Sequence, residues 1–270
     1  MLEITKDHVS LPRRRPDSHK GDFGRALLIC GSKKYTGAAF FAAQAAVNTG
    51  CGLVFLSVPR SIRGTLASKL NEPILIPRKN DMIYDACLIG CGIGLSHRTE
   101  RAALDFMLKS KSPLVIDADA ITVLAKNQKL INRIARGAVI TPHEGEFRRL
   151  VPDFSHDRRE EFALQFAKKN ECILVLKGHR TITATHDGKL FVNTSGNPGM
   201  AKGGSGDILA GIITSLIAQG IDPLRAAYTG VWLHGAAGDL ASERFGEYSM
   251  TPTDMLCTLK SVLKEVPKIP

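Results

Sequence analysis

Two hydrophobic patterns alternate along the 270-residue chain. Short, near-continuous apolar runs at RALLICG (25–31), LVFLSV (53–58), PILIP (73–77), ACLIG (86–90), PLVIDAD (113–119), GAVITP (137–142) and CILVLKG (172–178) each predict a strand. Helical patterns lie among them: the small-residue stretch GAAFFAAQAAVNTG (37–50), then 97–109, 119–127 and an amphipathic 157–169. Strands that are apolar on both faces and alternate with helices predict a mostly parallel sheet covered on both sides. TITATHDGKLFVNTS (181–195) departs from this, alternating with period two around His186-Asp187-Gly188-Lys189, and predicts a hairpin. Only helices are expected after it, at 205–219, 223–243 and 252–265. No Pro-, Gly- or Ser-rich linker divides the chain and no repeat recurs, so one α/β domain spanning 1–270 is expected.

The last apolar pattern begins in an unusual way. In NPGMAKGGSGDILAGIITSLIAQG (197–220), Gly203, Gly204, Ser205 and Gly206 precede a helix whose apolar residues recur at 208, 209, 212, 213, 216 and 217. A glycine-rich turn at a helix N-terminus offers unpaired N–H groups and the positive end of the helix dipole to an anion. Asp207 conflicts with that role, because a carboxylate repels a phosphate bound beside it. The conflict predicts a base held next to transferred charge.

Composition changes the picture little. Apolar residues at 44 % and charged residues at 23 % are ordinary globular values. A net charge of +10 favours anionic partners. Arg13, Arg14 and Arg15 read as a solvated arm, and single-strand binding would want interleaved aromatics, which make up only 6 % of the chain. Nucleic acid is therefore not the expected partner. Six cysteines (30, 51, 87, 91, 172, 257) form no C-x-x-C pair and mostly sit in apolar runs, which predicts buried reduced thiols. MLEITKDHV is not a signal peptide and no apolar stretch reaches 18 residues, so a cytoplasmic protein without a membrane span is expected.

Ligands of open α/β sheets gather beyond the carboxyl ends of the strands. Six polar clusters fall there: CGS (30–32) with Tyr35-Thr36-Gly37-Ala38, GCGIG (90–94), DADA (117–120), TPHEGE (141–146), LKGHRT (176–181) and the GGSGD turn. One cluster alone is explained by turn chemistry; six at one edge are not. His143, Glu144 and Glu146 lack the i, i+4 histidine pair of a helical metal site, and the acids suit a helix start after Pro142. His143 reads better as a hydrogen-bonder to substrate. Trp232 and His234 read as packing residues. Asp119 is expected to cap the helix that follows it. Asp117 either caps or helps to hold Mg²⁺ through water near phosphates.

Taken together, HKGDFGR (19–25), YTGAAFFAAQAAVNTGCG (35–52), GCGIG, DADA, TPHEGEF, LKG and the 197–220 segment resemble the ADP/ATP-dependent NAD(P)H-hydrate dehydratase family of the ribokinase-like superfamily. The resemblance covers nearly the whole chain, whereas GGSGD alone marks only the superfamily. In two places the chain departs from the family: Glu144 stands where proline is usual in TPHEGE, and Cys91 replaces the proline of GPG. The resemblance implies a three-layer α/β/α sandwich and a metabolite-repair lyase. Its substrate would be the S form of 6-hydroxylated NADH or NADPH (NADHX or NADPHX), with ADP or ATP as phosphoryl donor and Mg²⁺ as cofactor. Phosphorylation turns a poor leaving group, hydroxide, into a good one, and the ring nitrogen can push the phosphate out.

Residue by residue, the resemblance implies that Asp207 is the general base and that the N–H groups of Gly204, Ser205 and Gly206 serve the transferring phosphoryl group. Gly206 would also touch the nucleotide, together with Lys177, Gly178, His179, Arg180 and Thr181. Ala38, Gly92, Gly94 and His143, with Asp207, would line the hydrate pocket. It further implies a homotetramer and a separate NAD(P)H-hydrate epimerase as functional partner. Two rivals remain: a small-molecule kinase of the same superfamily, acting on hydroxymethylpyrimidine or hydroxyethylthiazole, and a non-enzymatic nucleotide or nucleic-acid binder.

Overall fold

A computed structural model describes residues 1–77 and 83–269 of the chain. The strands, in chain order, are β1 (Leu2–Ile4), β2 (Leu11–Pro12), β3 (Arg25–Ile29), β4 (Leu53–Ser57), β5 (Ile74–Ile76), β6 (Ala86–Ile89), β7 (Leu114–Ile116), β8 (Val139–Ile140), β9 (Ile173–Leu176), β10 (Ile182–Ala184), β11 (Leu190–Asn193) and β12 (Lys268–Ile269). The helices are α1 (Thr36–Asn48), α2 (Arg63–Ala67), α3 (His97–Lys109), α4 (Asp119–Lys126), α5 (Ile131–Ala135), α6 (Glu144–Leu150), α7 (Arg159–Asn170), α8 (Ser205–Ala218), α9 (Pro223–Ser249) and α10 (Pro252–Glu265). Ten strands form one sheet in the order β1-β11-β10-β9-β8-β7-β6-β3-β4-β5, and β2 pairs with β12 apart from it.

Every predicted strand and helix is present, most with ends shifted by up to three residues. The sheet is parallel except around β10, which pairs antiparallel with both β9 and β11. This is the expected hairpin, and it has a topological effect. β10 reverses the chain once and β11 reverses it back, so the chain leaves β11 at the carboxyl edge of the sheet, where α8 begins.

Alternation along the strands divides the apolar residues between two cores. Ala26 and Leu28 of β3 and Ala86 and Leu88 of β6 join the core under α1, α8, α9 and α10. Leu27, Cys87 and Ile89 point the other way, into the core under α3 to α7. This is the three-layer sandwich, and strands buried on both faces are what such layering demands. The small residues of helix 37–50 are used inside the chain: Ala42 of α1 approaches α8 so closely that a Cβ on Gly211 would lie 2.3 Å from its carbonyl oxygen.

Sequence reasoning missed β1, the β2–β12 pair and the short helices α2 and α5. The helix expected at 223–243 continues to Ser249 across a break at Gly246, whose φ is 74°. Among the described residues, no helix is long and apolar enough to cross a membrane.

Candidate active site

The six polar clusters meet at the carboxyl edge, held to one another by specific contacts. Gly31 N donates to the Cys91 carbonyl oxygen (2.8 Å), joining the loops after β3 and β6. A Cβ on Gly92 would come within 2.7 Å of Tyr35 and 2.8 Å of Ala38, so this loop lies flat on the start of α1. Gly94 N donates to Asp119 (2.8 Å), joining the loops after β6 and β7. Asp119 is therefore not the cap expected of it. Ala118, at φ 49°, is the residue before the helix, and Asp119 is already its first residue, with a carboxylate free to hold the 90–94 loop.

The glycine turn starts α8 with no side-chain cap. Gly204 sits at φ 107° with the Phe41 ring 2.7 Å from where its Cβ would be, so backbone conformation and space both demand glycine. Ser205 N turns inward to the Lys202 carbonyl oxygen (3.2 Å) and Ile208 N to that of Gly204 (3.2 Å). Among the described residues the N–H groups of Gly206 and Asp207 have no protein acceptor. That leaves two donors at the positive end of a 14-residue helix.

α9 fixes this turn from behind. The His234 side chain, from α9, has Nε2 2.9 Å from the Ser205 carbonyl oxygen and 3.0 Å from its hydroxyl. Burial pushes the imidazole down to about 4, so it is neutral and Nε2–H donates to the carbonyl. Asp239 accepts from Gly196 N (2.8 Å) and from the Asn197 amide (3.0 Å), holding the NPG segment. His234 thus does more than pack, which was the role read for it from sequence, and Asp239 was assigned none; the available signal was two polar residues in the small-residue run WLHGAAGDLA. Trp232 is buried, as expected.

Asp207 lies in the first turn of α8, partly buried. Burial, and then the charge of Asp117, push its carboxyl up to about 7, against the opposing help of a hydrogen bond from the Cys91 thiol and the charge of Lys177. Asp117 is 2 % exposed yet fully engaged. Its Oδ1 accepts from the Thr141 hydroxyl (2.7 Å) and from Lys177 Nζ (2.7 Å), and its Oδ2 faces Cys91 Sγ at 3.5 Å. It caps no helix. Lys177 Nζ also stands 4.0 Å from Glu146 and 3.4 Å from where a Cβ on Gly206 would be. Burial opposes its charge, but Asp117 and Glu146 outweigh burial and hold the ammonium above its ordinary range. One cation therefore stands between the buried acid and the open glycine turn.

The remaining predicted residues line the rim. His143 is bridged to Lys177 across β8 and β9. It caps α6: its Nδ1 accepts from Glu146 N (3.2 Å), and Glu146 in turn accepts from His143 N (3.0 Å). Residues 177–181 form the β9–β10 loop at the same edge. There the Thr181 hydroxyl donates to the Gly178 carbonyl oxygen (3.0 Å), Arg159 holds the His179 carbonyl oxygen (2.9 Å), and Arg180, at φ 54°, pairs with Glu3 of β1. Glu144, which stands where the family usually has proline in TPHEGE, is paired with His156 (2.8 Å).

A mostly parallel sheet of this order, with a glycine turn opening a helix beside an acid and a lysine at its carboxyl edge, defines a ribokinase-like fold. A ribokinase-like protein of Enterococcus faecalis superimposes with a TM-score of 0.90 at 30 % identity, covering 99 % of this chain and 97 % of that one. The chain belongs to the NAD(P)H-hydrate dehydratase family, whose model matches residues 26–261. It is 36 % identical over 250 residues to an ADP-dependent (S)-NAD(P)H-hydrate dehydratase of Neisseria meningitidis, covering 86 % of this chain and 82 % of the relative. It is 37 % identical to a bifunctional NAD(P)H-hydrate repair enzyme of Moorella thermoacetica, covering 95 % of this chain but 52 % of that protein. The chain thus spans about half the length of the bifunctional relatives it matches. An ADP/ATP-dependent NAD(P)H-hydrate dehydratase of Bacillus subtilis, co-crystallised with ATP and Mg²⁺, superimposes with a TM-score of 0.86 at 28 % identity over 97 % of both chains.

Proposed function

We propose that this protein is an ADP- or ATP-dependent (S)-NAD(P)H-hydrate dehydratase, a lyase that restores NADH or NADPH from NADHX or NADPHX. The observation that carries the reading is a carboxyl pushed up to about 7, at Asp207, beside two unaccepted N–H groups and the Lys177 ammonium. A base is most useful when its pKa lies near the working pH.

Asp207 takes the proton of the ring hydroxyl as that oxygen attacks the terminal phosphorus of the donor. The open N–H groups of Gly204, Gly206 and Asp207 and the Lys177 charge hold the phosphoryl oxygens during transfer, and AMP or ADP leaves. Ser205, expected to share this role, has its N–H taken by the Lys202 carbonyl oxygen and shapes the turn instead. The ring nitrogen then expels phosphate, and loss of the neighbouring C5 proton restores the dihydronicotinamide. His234 keeps the turn in place. Lys177, Gly178, His179, Arg180 and Thr181, with Gly206, form the donor side. Ala38, Gly92, Gly94 and His143 form the hydrate side.

Magnesium seeks oxygen ligands. Both Asp117 oxygens already face protein donors, so Asp117 fits that ion only through its water shell, where the ion would neutralise phosphate charge. Residues 1–270 would act as one domain in the cytoplasm, with an NAD(P)H-hydrate epimerase as functional partner and no nucleic-acid partner. A homotetramer is part of the proposal; because α1 spends its small residues on α8, its interfaces would use other faces, and light scattering reads the mass.

The test is incubation with NADH hydrate and each donor in turn. Recovery of dihydronicotinamide absorbance with one phosphate released per donor consumed is expected. A phosphorylated hydrate that persists, or turnover of small alcohols alone, would make the protein a kinase instead.

A further inference from the structure

Beside the proposed base lie thiols that phosphoryl transfer does not need. One ligand atom each from Cys91, Asp117 and Asp207 lies within 4.8 Å of the others. A second sulfur, that of Cys30 just beyond β3, lies close enough to help push the Cys91 thiol up, though it stands outside the group of three. The pairing of β3 with β6 and the Gly31 N to Cys91 O bond (2.8 Å) hold the two cysteine-bearing loops in fixed register. Buried cysteines usually act as small hydrophobes. These two differ, because the Cys91 sulfur faces carboxylate oxygen, at 3.5 Å from Asp117 Oδ2.

We propose that Cys30, Cys91, Asp117 and Asp207 form an inhibitory site for a soft divalent cation such as zinc, which shuts the enzyme by occupying its base. Two sulfurs and two carboxylate oxygens select Zn²⁺ or Cd²⁺ and reject Mg²⁺. Tetrahedral zinc with bonds of about 2.0–2.3 Å needs donor atoms roughly 3.6 Å apart. Cys91, Asp117 and Asp207, already within 4.8 Å of one another, reach that spacing by small side-chain movements, and Cys30 would swing in from the adjoining loop as the fourth ligand. Binding releases the two thiol protons, and loss of the Cys91 proton, which magnesium would not cause, frees Asp117 Oδ2 to ligate the ion directly. Lys177, on the other oxygen of Asp117, offsets part of the negative charge the ligands bring. The inhibitory consequence rests on the reading of Asp207 as base, whereas the binding does not.

The experiment uses the reduced, nucleotide-free full chain in a Cys257→Ser background, which removes the exposed thiol. Cadmium titration should give a cadmium–thiolate absorption band saturating at one ion per chain. The band should be lost in Cys91→Ala and reduced in Cys30→Ala, with Cys91→Ser as a second, more conservative variant. Buffered free zinc should inhibit hydrate turnover, and Cys91→Ala should need at least tenfold more zinc, each protein being compared with its own zinc-free rate. Absence of the band, or a band unchanged by Cys91→Ala and Cys91→Ser, would overturn the site. A Cys91-dependent band with turnover untouched by zinc would overturn the inhibition. Full turnover in Asp207→Asn alongside an intact wild-type band would refute the base and leave the metal binding standing.

Discussion

α6 and α8 begin at the same sheet edge, each with acids in the first turn, and they are finished in opposite ways. α6 closes on itself: the His143 ring and the Glu146 carboxylate take up each other's backbone N–H groups. α8 has glycine at its cap, no side-chain acceptor, and two N–H groups without protein partners. Glu146 is used up by structure, while Asp207 is kept available, with burial pushing its carboxyl up to about 7. An acid at a helix start is thus uninformative until its N–H partners are counted.

The sharpest way to break the comparison is Asp207→Asn, which keeps size and helix. Turnover should fall by about 10²–10⁴-fold, the range for losing a general base, with donor binding retained in a calorimetric titration. Near-normal turnover would show that the open helix start only binds. Next, Lys177→Ala should weaken donor binding more than hydrate binding in separate titrations. Leaving Asp117 buried without its cation should also cost about 3–5 kcal/mol of stability in urea unfolding.

The pH profile should separate the two acids further. Asp207 must be ionised to act, so kcat/KM should fall about tenfold per unit as pH drops below about 7. The sign for stability is opposite. Because the folded carboxyl titrates above its ordinary value, the native state holds a proton that the unfolded chain has lost between pH ~4 and ~7. Stability should therefore decline as pH rises through that window, and Asp207→Asn should flatten the decline. The smallest effect is expected at the closed helix: His143→Ala should cost about 1 kcal/mol through its lost cap, read as a shift in urea midpoint. A rise in KM for the hydrate, at unchanged kcat, would add the substrate contact proposed for the exposed ring.

Strands of four or five apolar residues such as β3 and β9 were legible because burial on both faces leaves no other composition open to them. β1 was not, since Leu2 and Glu3 are exposed and Ile4 alone is buried. Asp117, Lys177 and Asp207 were each legible as polar residues at strand or helix ends. Their grouping was not, because 60 residues separate Asp117 from Lys177 and only the sheet order brings them together. Asp119 was misjudged because the left-handed turn at Ala118 shifts the helix start by one residue, which no propensity of alanine foretells.

The pairing of β1 with β11 sets a clock on the newborn chain. Leu2 lies opposite Phe191, so β1, once made, waits for 189 further residues, counted from 2 to 191. At roughly 5–20 residues per second on the ribosome, that wait is about 10–40 s. Throughout it the β11 edge is missing and Ile4 has no place to be buried. The strands from β3 to β9 can assemble in order as they emerge, whereas the sheet's far edge, and with it the carboxyl-edge exit that launches α8, is completed only late in synthesis.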